Sequence, residues 1–237
     1  DGDVTYVVDA AAMTMKVPGE SDQKLVAASQ ACAFDVQDDQ AKTMVVSNTG
    51  VIVLHYTADP SAYPPVKPHL RVLVPAQDLP KAEFAGTWNL LGYEADNGMF
   101  GHTSVKLQFN DAGDFVGGAE GSKAGCENWP AEETMSVVKK ENGGFELRDA
   151  YGATTVQMFK NSAGQAAMFL NAANTGLLIG AKEQADTLPT VGTVTNSWDS
   201  TIQPNLTAAP FVNHTSTIAT VNAGTMSYTR TNRMNDG

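Results

Sequence analysis

Short turns rich in Asn and Gly recur between runs of alternating apolar residues, and no other feature limits the fold of this chain as strongly. They read Ser47-Asn48-Thr49-Gly50, Asn110-Asp111-Ala112-Gly113-Asp114, Glu141-Asn142-Gly143-Gly144, Asn161-Ser162-Ala163-Gly164 and Val221-Asn222-Ala223-Gly224. Asn and Gly tolerate the positive φ that a tight strand reversal requires. The expected fold class is therefore all-β: an antiparallel meander forming an up-and-down β-barrel, with a flanking β-sheet built from both termini. Helix is expected in one or two short segments at most, best placed at 21–31. There Ser21 would cap a turn carrying Leu25 and Ala28, although a strand through Leu25-Val26-Ala27 fits the same residues.

Four regions follow from the pattern. Residues 1–58 form an N-terminal β segment: 4–17 alternate loosely and end at Pro18-Gly19, and 43–56 make a hairpin around Asn48-Thr49-Gly50. Its exit run Val51-Ile52-Val53-Leu54-His55-Tyr56 is apolar on both faces, as in a strand covered on both sides. Residues 59–81 carry Pro60, Pro64, Pro65, Pro68, Pro75 and Pro80 and read as a linker or extended edge, with Leu70-Arg71-Val72-Leu73-Val74 its one strand-like run. Residues 82–184 hold roughly eight strand-sized runs joined by short turns, the signature of a meander that closes into a barrel and so removes its exposed edges. Residues 185–237 add a hairpin, 216–221 into 225–229. It lacks a core of its own and is expected to pack on the N-terminal segment.

Bulk properties narrow the function. The 237 residues are 42% hydrophobic, enough for a real core, and only 17% charged, a balance that suits an exported β-protein. The net charge of −11 argues against nucleic acid or an anionic membrane surface as partner, since both need clustered Lys and Arg. No apolar run approaches the roughly 20 residues of a membrane-spanning helix. The start Asp1-Gly2-Asp3 fits a processed terminus or an internal start, and the polar end from Arg230 to Gly237 closes no strand pattern. Cys32 and Cys126 lack metal or redox spacing. They are expected to form a disulfide in an oxidising compartment, the alternative being two unrelated thiols.

Phe84-Ala85-Gly86-Thr87-Trp88-Asn89-Leu90-Leu91 opens the patterned segment. A Gly-x-Trp on the first strand of an up-and-down barrel resembles the lipocalin and avidin group, the calycins, and the resemblance covers about residues 82–184. The run from Phe109 to Gly118 is similar to hairpins of lipocalin-like domains in bacterial exported proteins. The resemblance implies that Trp88 packs across the closed end of a barrel. The group's second motif, an Arg that stacks on this Trp from a late strand, is not evident, and Lys182 in Gly180-Ala181-Lys182 is the residue available to stand in. The ligand-contacting tryptophans of avidins have no counterparts, the other two being Trp129 and Trp198.

Catalytic signals are absent at every spacing tested. The histidines His55, His69, His102 and His214 make no metal-ligand pair, and no nucleophile-elbow or Cys/His context occurs. His55 reads as a core histidine. Asp111 and Asp114 around Gly113 lack the order of a calcium loop and read as turn residues. Asn205 and Asn213 begin glycosylation sequons. The expected function is that of a non-enzymatic, extracytoplasmic binding or surface-interaction protein, without cofactor or metal, that takes a protein partner or a small apolar ligand. Trp88, Phe100 and His102 are its candidate ligand contacts. The alternative is a structural subunit that self-assembles by strand addition between protomers.

Overall fold

The computed structural model describes residues 4–29, 32–37, 39–57, 69–96, 99–122, 125–141, 143–172, 176–184, 187–199 and 212–234. Among these there is no α-helix, and every strand pairing is antiparallel. The chain divides into two compact units, one of Val74–Gln184 and one of Val4–Leu73 with Ala185–Gly237.

The turns explain the antiparallel order. Asn110 and Asn161 act alike: the amide N–H of each bonds the carbonyl four residues on, and each side-chain oxygen accepts N–H bonds from two residues of its own loop. Ser47 and Lys140 open loops of the same backbone pattern. Three of these loops place Gly50, Gly113 and Gly164 at φ +85°, +80° and +79°, the left-handed position of a three-residue hairpin. Gly113 is required twice, because a Cβ there would also lie 2.8 Å from the Lys81 carbonyl carbon.

In the second unit a meander in chain order runs through seven strands: β1 (Val7–Asp9), β2 (Thr14–Lys16), β3 (Gln23–Ala27), β4 (Ala33–Val36), β5 (Asp39–Val46), β6 (Ile52–Tyr56) and β7 (His69–Leu73). Met15, Leu25, Val36, Met44, Ile52, Leu54 and Tyr56 form its core. Two expectations change here. Residues 4–17 are a hairpin and not one strand, because the Asp9 carboxylate accepts the N–H groups of Ala11 and Ala12 and reverses the chain. The helix considered at 21–31 is β3, paired on both sides, and tertiary pairing overrides a weak helical pattern.

The barrel unit follows. Its 3₁₀ turn η1 (Lys81–Phe84) leads into β8 (Gly86–Asp96), β9 (Met99–Phe109), β10 (Phe115–Ser122), β11 (Gly125–Asn128), β12 (Ser136–Lys139), β13 (Phe145–Arg148), β14 (Ala153–Lys160), β15 (Ala166–Ala172) and β16 (Gly176–Lys182). The sheet order is β11-β10-β9-β8-β16-β15-β14-β13-β12. The first and last strands of the meander thus pair with each other, as an up-and-down barrel requires. Phe84 shows that this sheet is curled. Its ring centroid lies 5.0 Å from those of both Phe109 on β9 and Phe145 on β13. Those strands are five places apart in the sheet, roughly 24 Å if it were flat. One pair is missing: β11 and β12, consecutive in the chain, do not pair, so the barrel is open along that seam. The approach to it is part of the same unit and not a free linker. Gln77 bonds the backbone N–H and carbonyl of Lys160, and Asp78 pairs with Lys139. Residues 58–68 lie outside the described part.

The C-terminal strands β17 (Val194–Asp199), β18 (Val212–Asn222) and β19 (Ser227–Met234) make a three-stranded sheet of their own. No single sheet joins the two termini among the described residues. β17, which the sequence reading left unassigned, supplies β18 with its second neighbour.

Candidate functional site

The barrel interior is filled. Trp88, Phe84, Leu90, Leu107, Phe145, Val156 and Met168 are almost wholly buried in one cluster. The Trp88 indole N–H donates to the Phe84 carbonyl at 2.7 Å. Lys182, opposite Trp88 across the β8–β16 pair, holds its ammonium 5.4 Å from the centre of the Trp88 ring, the place the sequence left to it. Gly180 is closely packed in this core: a Cβ on it would lie 2.9 Å from Leu90 Cγ and 3.4 Å from Met168 Cβ. Trp88, expected as a ligand contact, is core. Phe100 and His102 lie on β9, but their side chains fall outside the described part.

The open seam carries an accessible concavity. A cleft of about 340 Å³ is lined by Phe115 and Glu120 of β10, by Trp129, Glu133, Thr134 and Met135 of the β11–β12 connection, and by Asp149 and Tyr151 after β13. Its floor is the core, because Phe115, Trp129 and Met135 pack against the buried cluster. Trp129 is seated by a glycine. Its N–H donates to the Gly118 carbonyl, and its ring lies so close to Gly118 that a Cβ there would come within 2.7 Å of Cζ3 and 2.9 Å of Cδ2. Glu120 pairs with Val105 in the register, and Gly118 with Leu107, so Glu120 continues the row that elsewhere faces the core. At the seam that row meets solvent, and Glu120 is exposed. Tyr151 is 88% exposed and is aimed by its turn, in which Asp149 Oδ1 accepts the N–H groups of Tyr151 and Gly152. Of these residues the sequence reading touched only Phe115, within the Phe109–Gly118 run, and Trp129, as one of the remaining tryptophans, and it took neither for a site residue. The signal available was Glu120 breaking an apolar face just before Trp129-Pro130 and its acidic neighbours Glu132 and Glu133.

A second polar concentration lies in the other unit. Tyr56 stacks on His69 at 4.2 Å, with the Arg71 guanidinium 5.2 Å and the Lys42 ammonium 5.5 Å from its ring centre. Burial, with Tyr6 adding to it, pushes the Tyr56 phenol up to about 12. His55 is buried, and burial, reinforced by His69, holds its imidazole below the usual value.

The remaining expected sites resolve individually. Cys32 lies in the turn before β4 and Cys126 on the edge strand β11. Both are exposed free thiols, and the expected disulfide is absent from the structure. Asp114 serves the hairpin turn: its hydrogen bond from Lys81, and that ammonium's charge, hold its carboxyl below the usual range. Asn213 lies on β18, and Asn205 lies outside the described residues. Comparison with family models, with curated proteins and with solved structures finds no match to this chain.

Proposed function

We propose that this chain is a non-enzymatic binding protein whose recognition surface is the cleft at the open seam of its barrel. The observation that carries this reading is the pairing of a packed interior with a core-floored cleft at the one gap in the strand order. A filled small barrel has no room for a ligand, so recognition falls to the rim. The cleft residues support binding over catalysis. Thr134 is the lone aliphatic hydroxyl among them, and no His, Lys or Cys stands beside it as a base or nucleophile. Low charge content and the all-β fold support an extracytoplasmic setting. Nuclear magnetic resonance mapping of the ¹⁵N-labelled full chain against a mixed library of amines, acids, sugars and short peptides tests the reading. Binders should shift the signals of Phe115, Thr134, Tyr151 and the Trp129 indole. Binders that map consistently to another surface would refute it.

A second reading rests on β19. It forms one edge of its sheet and is exposed along its whole length, Tyr228 and Met234 included. Such an edge is a template for strand addition, as a self-assembling subunit would use. A Thr229→Pro substitution removes a ladder donor there and should abolish any oligomer seen by light scattering.

A further inference from the structure

We infer that the seam cleft recognises an organic cation, a guanidinium or alkylammonium group, an inference that rests on the cleft being the recognition surface. The lining combines three carboxylates, Glu120, Glu133 and Asp149, with the rings of Phe115, Trp129 and Tyr151, and contains no basic residue. Elsewhere among the described residues five acidic side chains pair with lysines, Asp22 with Lys16, Glu83 with Lys160, Asp78 with Lys139, Asp114 with Lys81 and Glu183 with Lys106, while others such as Asp111 and Glu132 stand in solvent without one. Among the described residues none of the three cleft carboxylates has an ion-pair partner. The nearest cation in sequence, Arg148, is engaged by Glu146, to which its Nε and Nη2 both donate.

Glu127 makes the case stronger. It lies directly opposite Glu120 in the β10–β11 register, so two exposed carboxylates face each other across neighbouring strands. Like charges in that position destabilise a sheet. A cation bound beside Glu120 relieves the repulsion that the free protein carries. The rings complete the chemistry, because a cation over an aromatic face is attracted by its quadrupole. This chain already places Lys182 over Trp88, and Arg71 and Lys42 over Tyr56. Trp129, tilted beside Phe115 at 6.1 Å, has no such cation among the described residues. A cleft of about 340 Å³ suits a single cationic head and its stem. The cation has two possible sources, a free amine or an Arg or Lys side chain presented by a protein.

The test titrates the full chain with N-acetyl-arginine amide, its neutral isostere N-acetyl-citrulline amide, tetramethylammonium, N-acetyl-glutamate and a short Gly-Arg peptide, following the Trp129 indole signal. The two cations should shift it, and citrulline and glutamate should not. Affinity should fall at least tenfold in Glu120→Gln/Glu133→Gln and fall again with added salt. It should be unchanged in Glu20→Gln/Asp22→Asn, which removes the same two charges in the other unit. Glu127→Gln should raise the melting temperature of the free protein and reduce the further rise that arginine amide produces. A peptide at least tenfold tighter than the amide assigns the cation to a protein partner, and equal affinities assign it to a free amine. If citrulline or glutamate shifts Trp129 as strongly as arginine, the cleft still binds but the cation inference is overturned. If nothing shifts it, the cation inference is overturned, and the library mapping decides separately whether the cleft is the recognition surface.

Discussion

Gly118→Ala isolates the seat of Trp129 and separates two opposing effects. The substitution by itself favours folding by about 0.4–1 kcal/mol, because alanine has fewer unfolded conformations to lose and Gly118 has no left-handed φ. Against this, the new methyl would sit within 2.9 Å of Trp129 Cδ2 and nearer to two further ring carbons. An indole cannot shorten, so it must rotate out or push β10 away, and overpacking of this kind costs about 1–3 kcal/mol. The clash wins. The net expectation is a loss of about 1–2 kcal/mol in the barrel unit, a fall of roughly 5 °C in its melting temperature for a unit of this size. Calorimetry that resolves the two units reads the stability, and indole emission reads the environment of Trp129, which should become more polar. The decisive measurement is the same substitution in a Trp129→Ala background. There the clash is gone, the sign should reverse, and Gly118→Ala should stabilise by up to about 1 kcal/mol, a coupling of the size expected for residues in contact. Equal destabilisation in both backgrounds would refute the close packing of Trp129 on Gly118.

Three further outcomes are expected. Trp88→Ala should destabilise the barrel unit by about 3–5 kcal/mol, since it empties the centre of the core and strips the Phe84 carbonyl of its donor; an unchanged melting temperature would place Trp88 outside the core. The second unit should lose stability as pH falls below about 6.5, because the unfolded chain protonates His55 at its ordinary value while the buried imidazole resists, and the loss should level off below the depressed folded value. His55→Gln should remove that component, and a unit whose stability ignores pH between neutrality and 5 would contradict it. Thiol titration of the folded protein should find both Cys32 and Cys126 reactive, with no change on reduction.

The local reversals of this chain were legible in its sequence, and the closures were not. Asn110, Asn161 and Ser47 satisfy the backbone of their own loops through their own side chains, so the hairpins around them need no distant partner and can be read from a few residues. Trp88 was legible for a related reason: a large aromatic on an alternating run has few places to go but inward. What the sequence withheld depends on pairings between residues far apart or on choices among equal local options. Asp9 turns residues 4–17 into a hairpin through bonds to Ala11 and Ala12, and period-two alternation looks the same on one strand or two. Gly125-Cys126-Glu127 reads as loop and becomes β11 because β10 offers it an edge. Trp129 extends the β10–β11 ladder by donating to Gly118, and the chain then reaches β12 without the two strands pairing, so the seam beside β11 stays open. That choice exposes Glu120 on a face whose register neighbours point into the core. Turn chemistry acts over four or five residues and is written into them. Whether a barrel closes, and which side chains its gap uncovers, is set by the packing of the whole sheet around Phe84 and Trp88.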